Sequence, residues 1–189
     1  MPRPATLPVI DWKAVFDSGL DYKAWLEAAE SEDQRGKIEA QRQALNLERP
    51  VAAYLAALPR PVHVVAIAED WCGDVVRHAP VLERMAEAGP ALKVRYIRRE
   101  QHPDVFVRFL TNGGEAIPKF IFLSEGFVEC GHWGPMPERC KELISRGKAC
   151  GDVAAARKKV SVLYEQDTAR REVVAELLRL VETAVCPEP

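Results

Sequence analysis

Residues 62–80 read Val-His-Val-Val-Ala-Ile-Ala-Glu-Asp-Trp-Cys-Gly-Asp-Val-Val-Arg-His-Ala-Pro, and this stretch decides the fold of the 189-residue chain. It opens with an almost unbroken apolar, β-branched run from Val62 to Ala68, which is typical of a strand buried on both faces of a sheet. From Val75 onward the apolar residues recur at helical intervals, so we predict that a helix begins close to Cys72. Cys72 therefore lies where a central strand ends and a helix begins.

Cys72 is the candidate nucleophile, and the sequence contains opposing influences on its pKa. Unpaired backbone N–H groups and the positive end of the helix dipole favour a thiolate at a helix start, which lowers the pKa of a cysteine. Nearby carboxylates disfavour a second negative charge and raise that pKa; they belong to Glu69, Asp70 and Asp74. If the helix start outweighs them, the pKa of Cys72 lies below the ~8.5 of a free thiol. Four basic residues could offset the carboxylates, but the sequence does not place them: Arg77, His78, Arg98 and Arg99.

Two motifs, found in the same order along the chain, resemble the thioredoxin family. Trp71-Cys72-Gly73, followed by Pro80, resembles the family's active-site strand, turn and helix. Ile117 and Pro118 precede the apolar run Phe120 to Leu123, as the family's cis-proline precedes its next strand. The resemblance covers roughly residues 62–146. More narrowly, four segments are similar to a bacterial branch of thioredoxin family proteins: Trp71-Cys72-Gly73-Asp74, Leu110-Thr111-Asn112-Gly113-Gly114, Ile117-Pro118 and Trp133-Gly134-Pro135.

The resemblance implies an α/β thioredoxin-like fold, in which helices flank a central mixed sheet. It implies that Cys72 is the catalytic residue and that a cis peptide bond before Pro118 leaves the backbone of Ile117 free to pair with an extended substrate. Trp71, Gly73 and Asp74 complete the expected substrate-binding set. We expect Trp71 to shape the rim of the site and to take no part in the chemistry.

Val75 is the main departure from the family pattern, because a dithiol thioredoxin has its second cysteine at this position. Val75 lies on the inward stripe of the predicted helix, where it replaces a buried thiol without leaving a large void. It cannot resolve a mixed disulfide, so exchange through Cys72 requires an external thiol such as glutathione, a thiol of the partner, or another cysteine of this chain. The internal candidates are Cys130, Cys140, Cys150 and Cys186, of which we expect the first two to be buried.

The secondary structure predicted along the chain follows the order of the thioredoxin fold. We predict short helices before Pro61, with a cap at Asp11 and an interruption at Gly36, and a strand over 92–97. A short helix over 104–110 is followed by a hairpin of 119–123 with 127–131, and by a helix from Pro135 to about Arg146. In the remainder, two helices or one helix bent near 166–168 are favoured over a coiled coil, because few heptads persist.

These elements define three predicted segments. Residues 1–60 are a helical N-terminal extension, residues 61–147 are the thioredoxin-like domain, and residues 148–189 are a helical C-terminal extension packed on the same domain. The N-terminal extension carries two tryptophans, so we expect it to pack on the domain as well.

Composition bounds the partners and the compartment. With 26 basic and 28 acidic residues well mixed, the chain has no basic field for nucleic acid or an anionic membrane. The N-terminus lacks the apolar core of a signal peptide, and the 5 cysteines lack paired spacing, which fits a reducing, cytoplasmic compartment. The histidines match no zinc spacing with the cysteines, so we predict neither a metal nor a cofactor. The sequence does not indicate an oligomeric state.

Two hypotheses of different classes follow. The first is a cytoplasmic thiol–disulfide oxidoreductase that uses a single cysteine and exchanges with protein or low-molecular-weight thiols and disulfides, including glutathione. The second is a thioredoxin-fold module that binds a protein or peptide without redox turnover. The fold alone does not decide between them, because function depends on the site.

Overall fold

The computed structural model describes residues 7–186. Residues 1–6 and 187–189, at the outer ends of the two predicted extensions, lie outside the described residues, as does most of the N-terminal stretch that lacks a signal-peptide pattern. The strands are β1 (Val62–Ile67), β2 (Leu92–Ile97), β3 (Lys119–Leu123) and β4 (Glu129–Trp133). The helices are α1 (Trp12–Ser18), α2 (Tyr22–Glu27), α3 (Glu32–Ala44), α4 (Arg49–Ala56), α5 (Gly73–Ala88), α6 (Pro103–Phe106), α7 (Glu138–Ala149), α8 (Val153–Gln166) and α9 (Arg171–Val185).

The predicted α/β architecture is confirmed, with a mixed sheet flanked by helices. The strand order is β2-β1-β3-β4, in which β1 runs parallel to β2 and antiparallel to β3, and β3 runs antiparallel to β4. Every residue of β3 is buried, and in β1 only His63 is partly exposed. These are the two central strands, and their burial explains why their sequences are continuous apolar runs rather than alternating ones.

The N-terminal helices pack on the sheet and on α5. Three side chains cap them by accepting backbone N–H bonds, namely Asp11, Asp21 and Ser31. The indole of Trp25 stacks on Tyr96 of β2 with ring centroids 4.6 Å apart, and its N–H donates to the carbonyl of Ala68 at 3.1 Å. This contact ties the N-terminal segment to the strand ends beside Cys72.

The predicted interruption at Gly36 is wrong, since α3 runs without a break from Glu32 to Ala44. A glycine inside a helix weakens it by only about 1 kcal/mol, and the fully buried Ile38 holds this helix against the core. Tertiary packing therefore overrides the local preference.

Three other predicted boundaries move. β4 begins at Glu129 instead of 127, because Phe127 lies in the turn with φ 59°. α7 begins at Glu138 instead of Pro135, with Pro137 as its N-cap. The helix predicted over 104–110 is the short α6 followed by a 3₁₀ turn, Val107–Phe109.

The C-terminal region forms two helices, as the first of the two alternatives predicted. Arg170 breaks the chain with φ 55°, and the carboxylate of Asp167 accepts the N–H groups of Arg171 at 2.9 Å and Glu172 at 3.1 Å. α9 then buries Leu177 and Val181 in the same hydrophobic core that contains the sheet. Both ends of the described chain thus contribute to one core.

Candidate functional site

Cys72 is the N-cap of α5, at the point where the chain leaves β1. Its side chain is half-buried, and its thiol donates to the carbonyl of Ile117 with Sγ and O 3.4 Å apart. Gly73, the next residue, is exposed, and a Cβ added there would meet no atom within 4 Å. The sulfur is therefore held beside the Ile117 backbone, and the solvent side of this turn is open.

The predicted proline segment lies directly beside Cys72. The Ile117–Pro118 peptide bond is cis, and both side chains are buried. The N–H of Ile117 forms no backbone hydrogen bond with any residue in the part of the chain that the structure describes. The Ile117 side chain is therefore enclosed, while its N–H group has no backbone partner among the described residues.

A second loop, predicted only as a strand-to-helix turn, packs against the proline segment. Its Gly134–Pro135 peptide bond is also cis. Gly134 has φ +120°, and a Cβ built on it would lie 2.0 Å from the carbonyl oxygen of Pro118. Because that approach leaves no space for a side chain, glycine at position 134 sets how closely the two loops pack.

Glu176 of α9 fixes this second loop, and sequence reasoning missed it. Its Oε2 accepts the indole N–H of Trp133 at 2.5 Å, and its Oε1 accepts the backbone N–H of Glu138 at 2.9 Å. One carboxylate thus joins the end of β4 to the start of α7. The sequence carried no signal for this role, because the helical neighbours of Glu176 at i−4 and i+3, Glu172 and Arg179, are also charged.

The rim of the site is a cluster of Trp71, Glu69 and Arg99. Trp71 is 51% exposed, and its indole N–H donates to Glu69 at 2.8 Å. The guanidinium of Arg99 lies 5.1 Å from the Trp71 ring centroid and pairs with Glu69 at 3.1 Å and Glu115 at 3.0 Å. Burial alone would raise the pKa of Glu69, but the hydrogen bonds from Arg99 outweigh it and hold that pKa below its ordinary value.

The other two carboxylates near Cys72 have different surroundings. Asp70 is buried and accepts the backbone N–H groups of Glu30 at 3.1 Å and Ser31 at 3.3 Å, which makes it a link to the α2–α3 connection. Asp74 lies in the first turn of α5, where burial raises its pKa and the charge of Arg77 partly opposes that rise. Of these two, Asp74 is the one whose charge acts on the Cys72 thiol.

Burial has the largest effect on Cys72 and raises its pKa above the ordinary value. The backbone N–H groups of Val75 and Asp74 at the helix start lower the pKa; the Asp74 charge raises it and the Arg99 charge lowers it. The helix start therefore does not outweigh burial, and the pKa of Cys72 is not lowered.

Of the four candidate basic residues, Arg99 is the one whose charge acts on the Cys72 thiol. Arg98 binds Glu30, Arg77 lies over the Tyr164 ring, and His78 is fully buried.

The alkylation rate of Cys72 against pH tests this balance. We expect a midpoint above that of cysteine in a short unstructured peptide, because burial disfavours the thiolate. Asp74→Asn should lower the midpoint by removing a negative charge, while Glu125→Gln, at an exposed position in the β3–β4 turn, should leave it unchanged. A wild-type midpoint below that of the peptide would show that the helix start prevails.

Val75 is fully buried, as predicted from its position on the helix stripe. Cys140 is also buried, and burial raises its pKa to about 11. Cys130, which was also expected to be buried, is only half-buried in β4, and Cys150 and Cys186 are exposed. Among residues 7–186, no group of three His, Cys, Asp or Glu side chains is arranged to hold a metal ion. None of the described helices is long and apolar enough to cross a membrane.

The chain is similar to known proteins in both sequence and structure. The family model described as Thioredoxin matches residues 19–158, which crosses both predicted segment boundaries. A crystal structure of a protein of unknown function from Pseudomonas aeruginosa has a TM-score of 0.70 and 19% identity, covering 93% of this chain and 99% of that chain. An HIV epitope scaffold has a TM-score of 0.72 and 18% identity with the same coverage. At these identities the two structures show the fold alone. No curated protein matches the sequence.

Proposed function

This chain belongs to the thioredoxin family, and from that premise we propose that it exchanges thiols and disulfides through the single nucleophilic cysteine Cys72. The observation that carries the proposal is the placement of the Cys72 sulfur at the start of α5, 3.4 Å from the carbonyl of Ile117 in the cis-proline segment. In the same proposal, the Trp-Cys-Gly-Asp motif and Val75 assign the chain to a bacterial single-cysteine branch of the family.

The proposed reaction has two exchange steps. The Cys72 thiolate attacks one sulfur of a substrate disulfide, forms a mixed disulfide with it, and releases the other sulfur as a thiolate. An external thiol then attacks the mixed disulfide at the substrate sulfur, so that Cys72 leaves as a thiolate and a new disulfide joins the substrate to the external thiol. Each step exchanges one disulfide for another, and the external thiol supplies the reducing equivalents.

Substrate contacts in this proposal involve the residues around the sulfur. Trp71 provides the exposed wall, Gly73 allows close approach, and the backbone of Ile117 before Pro118 pairs with an extended chain. Asp74 sets the local charge. The partners we propose are protein or small thiols and disulfides, including glutathione, in the cytoplasm, with no nucleic-acid or membrane partner and no cofactor.

A second candidate is a protein- or peptide-binding module without redox turnover. It is favoured by the raised pKa of Cys72, which burial causes, and by the fully buried Val75 at the position of a second cysteine. A high pKa leaves little thiolate at neutral pH, and thiolate is the reacting form.

Intact mass after treatment with oxidised glutathione separates the two candidates. Under the exchange proposal, the wild type gains one glutathione on Cys72, and excess thiol removes it. Cys72→Ser should lose this adduct, whereas Cys150→Ser, which removes an exposed cysteine outside the site, should keep it. No adduct on Cys72 would favour the binding module.

A further inference from the structure

Lys119 joins three segments around the site through one buried ammonium group. Lys119 is the first residue of β3, directly after Pro118, and it is only 2% exposed. Nζ donates to the hydroxyl of Thr111 at 2.6 Å and to the carbonyl of Gly134 at 3.3 Å. One side chain therefore connects the proline segment, the Thr111–Gly114 turn and the second cis-proline loop.

Each of these segments is already part of the edge of the site. Gly134 packs on the carbonyl of Pro118, with no space for a Cβ. Thr111 and Gly114 exchange backbone hydrogen bonds of 2.9 Å in both directions, which closes the turn. Glu115 follows the turn and pairs with Arg99, whose guanidinium lies over the Trp71 ring. The Lys119 ammonium thus links the proline segment to both of its neighbours.

Stability alone does not account for a lysine at this position. Among the described residues, no carboxylate forms an ion pair with Lys119. The titratable groups that face it are cationic or become cationic: Lys141 of α7 and His132 of β4. Burial first, and then the charge of Lys141, lower the pKa of Lys119 from 10.5 to about 8. A buried ammonium without a counter-ion opposes folding, so an apolar residue of similar length would be the more stable choice.

We propose that Lys119 is a positioning residue of the thiol site, which holds the Thr111–Gly114 turn and Gly134 against the proline segment so that an extended peptide can pair with Ile117 beside Cys72. This inference rests on the proposed exchange function for its substrate, a disulfide within an extended peptide. Residues that oppose folding while organising a site are a recurrent feature of functional regions.

The test compares Lys119→Met with the wild type, using two disulfides of different size. The first is an extended peptide whose cysteine carries a thionitrobenzoate disulfide, and the second is hydroxyethyl disulfide. Loss of positioning should lower the rate of Cys72 with the peptide ~10-fold and change the rate with hydroxyethyl disulfide less than ~2-fold. Lys93→Met, at an exposed lysine of β2, is the matched control and should change neither rate.

Lys119→Met should lower the peptide reaction rate without lowering the stability of the fold. Lys119→Met should unfold at a temperature equal to or above that of the wild type at neutral pH. Because the pKa of Lys119 is lower in the folded state, its destabilising effect is complete below about pH 8 and is lost as the pH approaches 10.5. Any excess stability of Lys119→Met should therefore shrink over that range. A merely structural lysine predicts the reverse, with a lower unfolding temperature and both disulfide rates reduced together, and that result would overturn the proposal.

Thr111→Val is the second variant. It removes one of the two acceptors of the Lys119 ammonium, while the charge of Lys119 and the side-chain shape at position 111 are kept. It should slow the peptide reaction selectively, as Lys119→Met does; unchanged rates in both variants would overturn the inference. If the wild type reacts with neither disulfide, the exchange function fails, and amide hydrogen exchange of residues 111–114 decides the role of Lys119. Faster exchange in Lys119→Met would support the positioning role, and unchanged exchange would refute it.

Discussion

Val75→Cys is expected to increase the reduction of insulin by dithiothreitol ~10-fold or more over the wild type, because it supplies the missing resolving thiol. Position 75 lies one helical turn after Cys72, in the first turn of α5. A thiol introduced there is therefore adjacent to any mixed disulfide formed on Cys72. The buried valine loses about one methyl group, which should lower stability by only about 1 kcal/mol.

Two controls isolate the thiol in this experiment. Val75→Ala removes both methyl groups and adds no thiol, so it should stay as weak as the wild type. Val75→Cys combined with Cys72→Ser should be inactive, because the attacking thiol is gone. If Val75→Cys is inactive and the wild type forms no glutathione adduct, the exchange proposal fails and the surface around the exposed Trp71 is a binding surface. The raised pKa of Cys72 would then explain why its thiol does not react.

Gly134→Ala is expected to destabilise the protein by about 3 kcal/mol or more, through backbone strain and a clash with backbone atoms. The new Cβ would lie 2.0 Å from the carbonyl oxygen of Pro118, and the φ of +120° is rarely adopted by residues with a side chain. Relief of the clash requires the proline segment to move. We therefore also expect the Cys72–Ile117 contact to be lost and the alkylation rate of Cys72 to change.

Gly36→Ala is the matched control for this substitution. Gly36 lies inside α3, and a Cβ there would meet no atom within 4 Å. The same change should stabilise the protein by roughly 0.5–1 kcal/mol, because alanine loses less conformational freedom in a helix. Urea unfolding of both variants measures the difference. Equal stability of Gly134→Ala and the wild type would contradict the tight packing of the two loops.

The central part of the fold was predictable because its signals are local. The apolar run from Val62, the change to helical spacing after Cys72 and the inward position of Val75 all follow from the periodicity of neighbouring residues. The family resemblance added the proline segment at Pro118. The same local reasoning failed at Gly36, where packing of α3 on the core outweighs a weak helix former.

The properties of the site depended on residues far apart in the chain. The direction of the pKa shift of Cys72 could not be predicted from the sequence. Its largest cause is burial, by segments that the fold brings to the sulfur. Arg99 and Arg98 are adjacent in sequence, yet Arg99 bonds Glu69 at the site while Arg98 binds Glu30 outside it. Spacing alone cannot make that distinction.

The sequence by itself thus determined the strand, the helix start and the cysteine between them, because hydrophobic periodicity and turn residues act over a few positions. Only the tertiary structure decided how the site is held. Lys119 reaches Thr111 and Gly134, Gly134 packs on Pro118, and α9 secures the second loop through Glu176. Hydrogen bonding, desolvation and close packing depend on distance in space, and the chain sets those distances only when the sheet and its surrounding helices have come together.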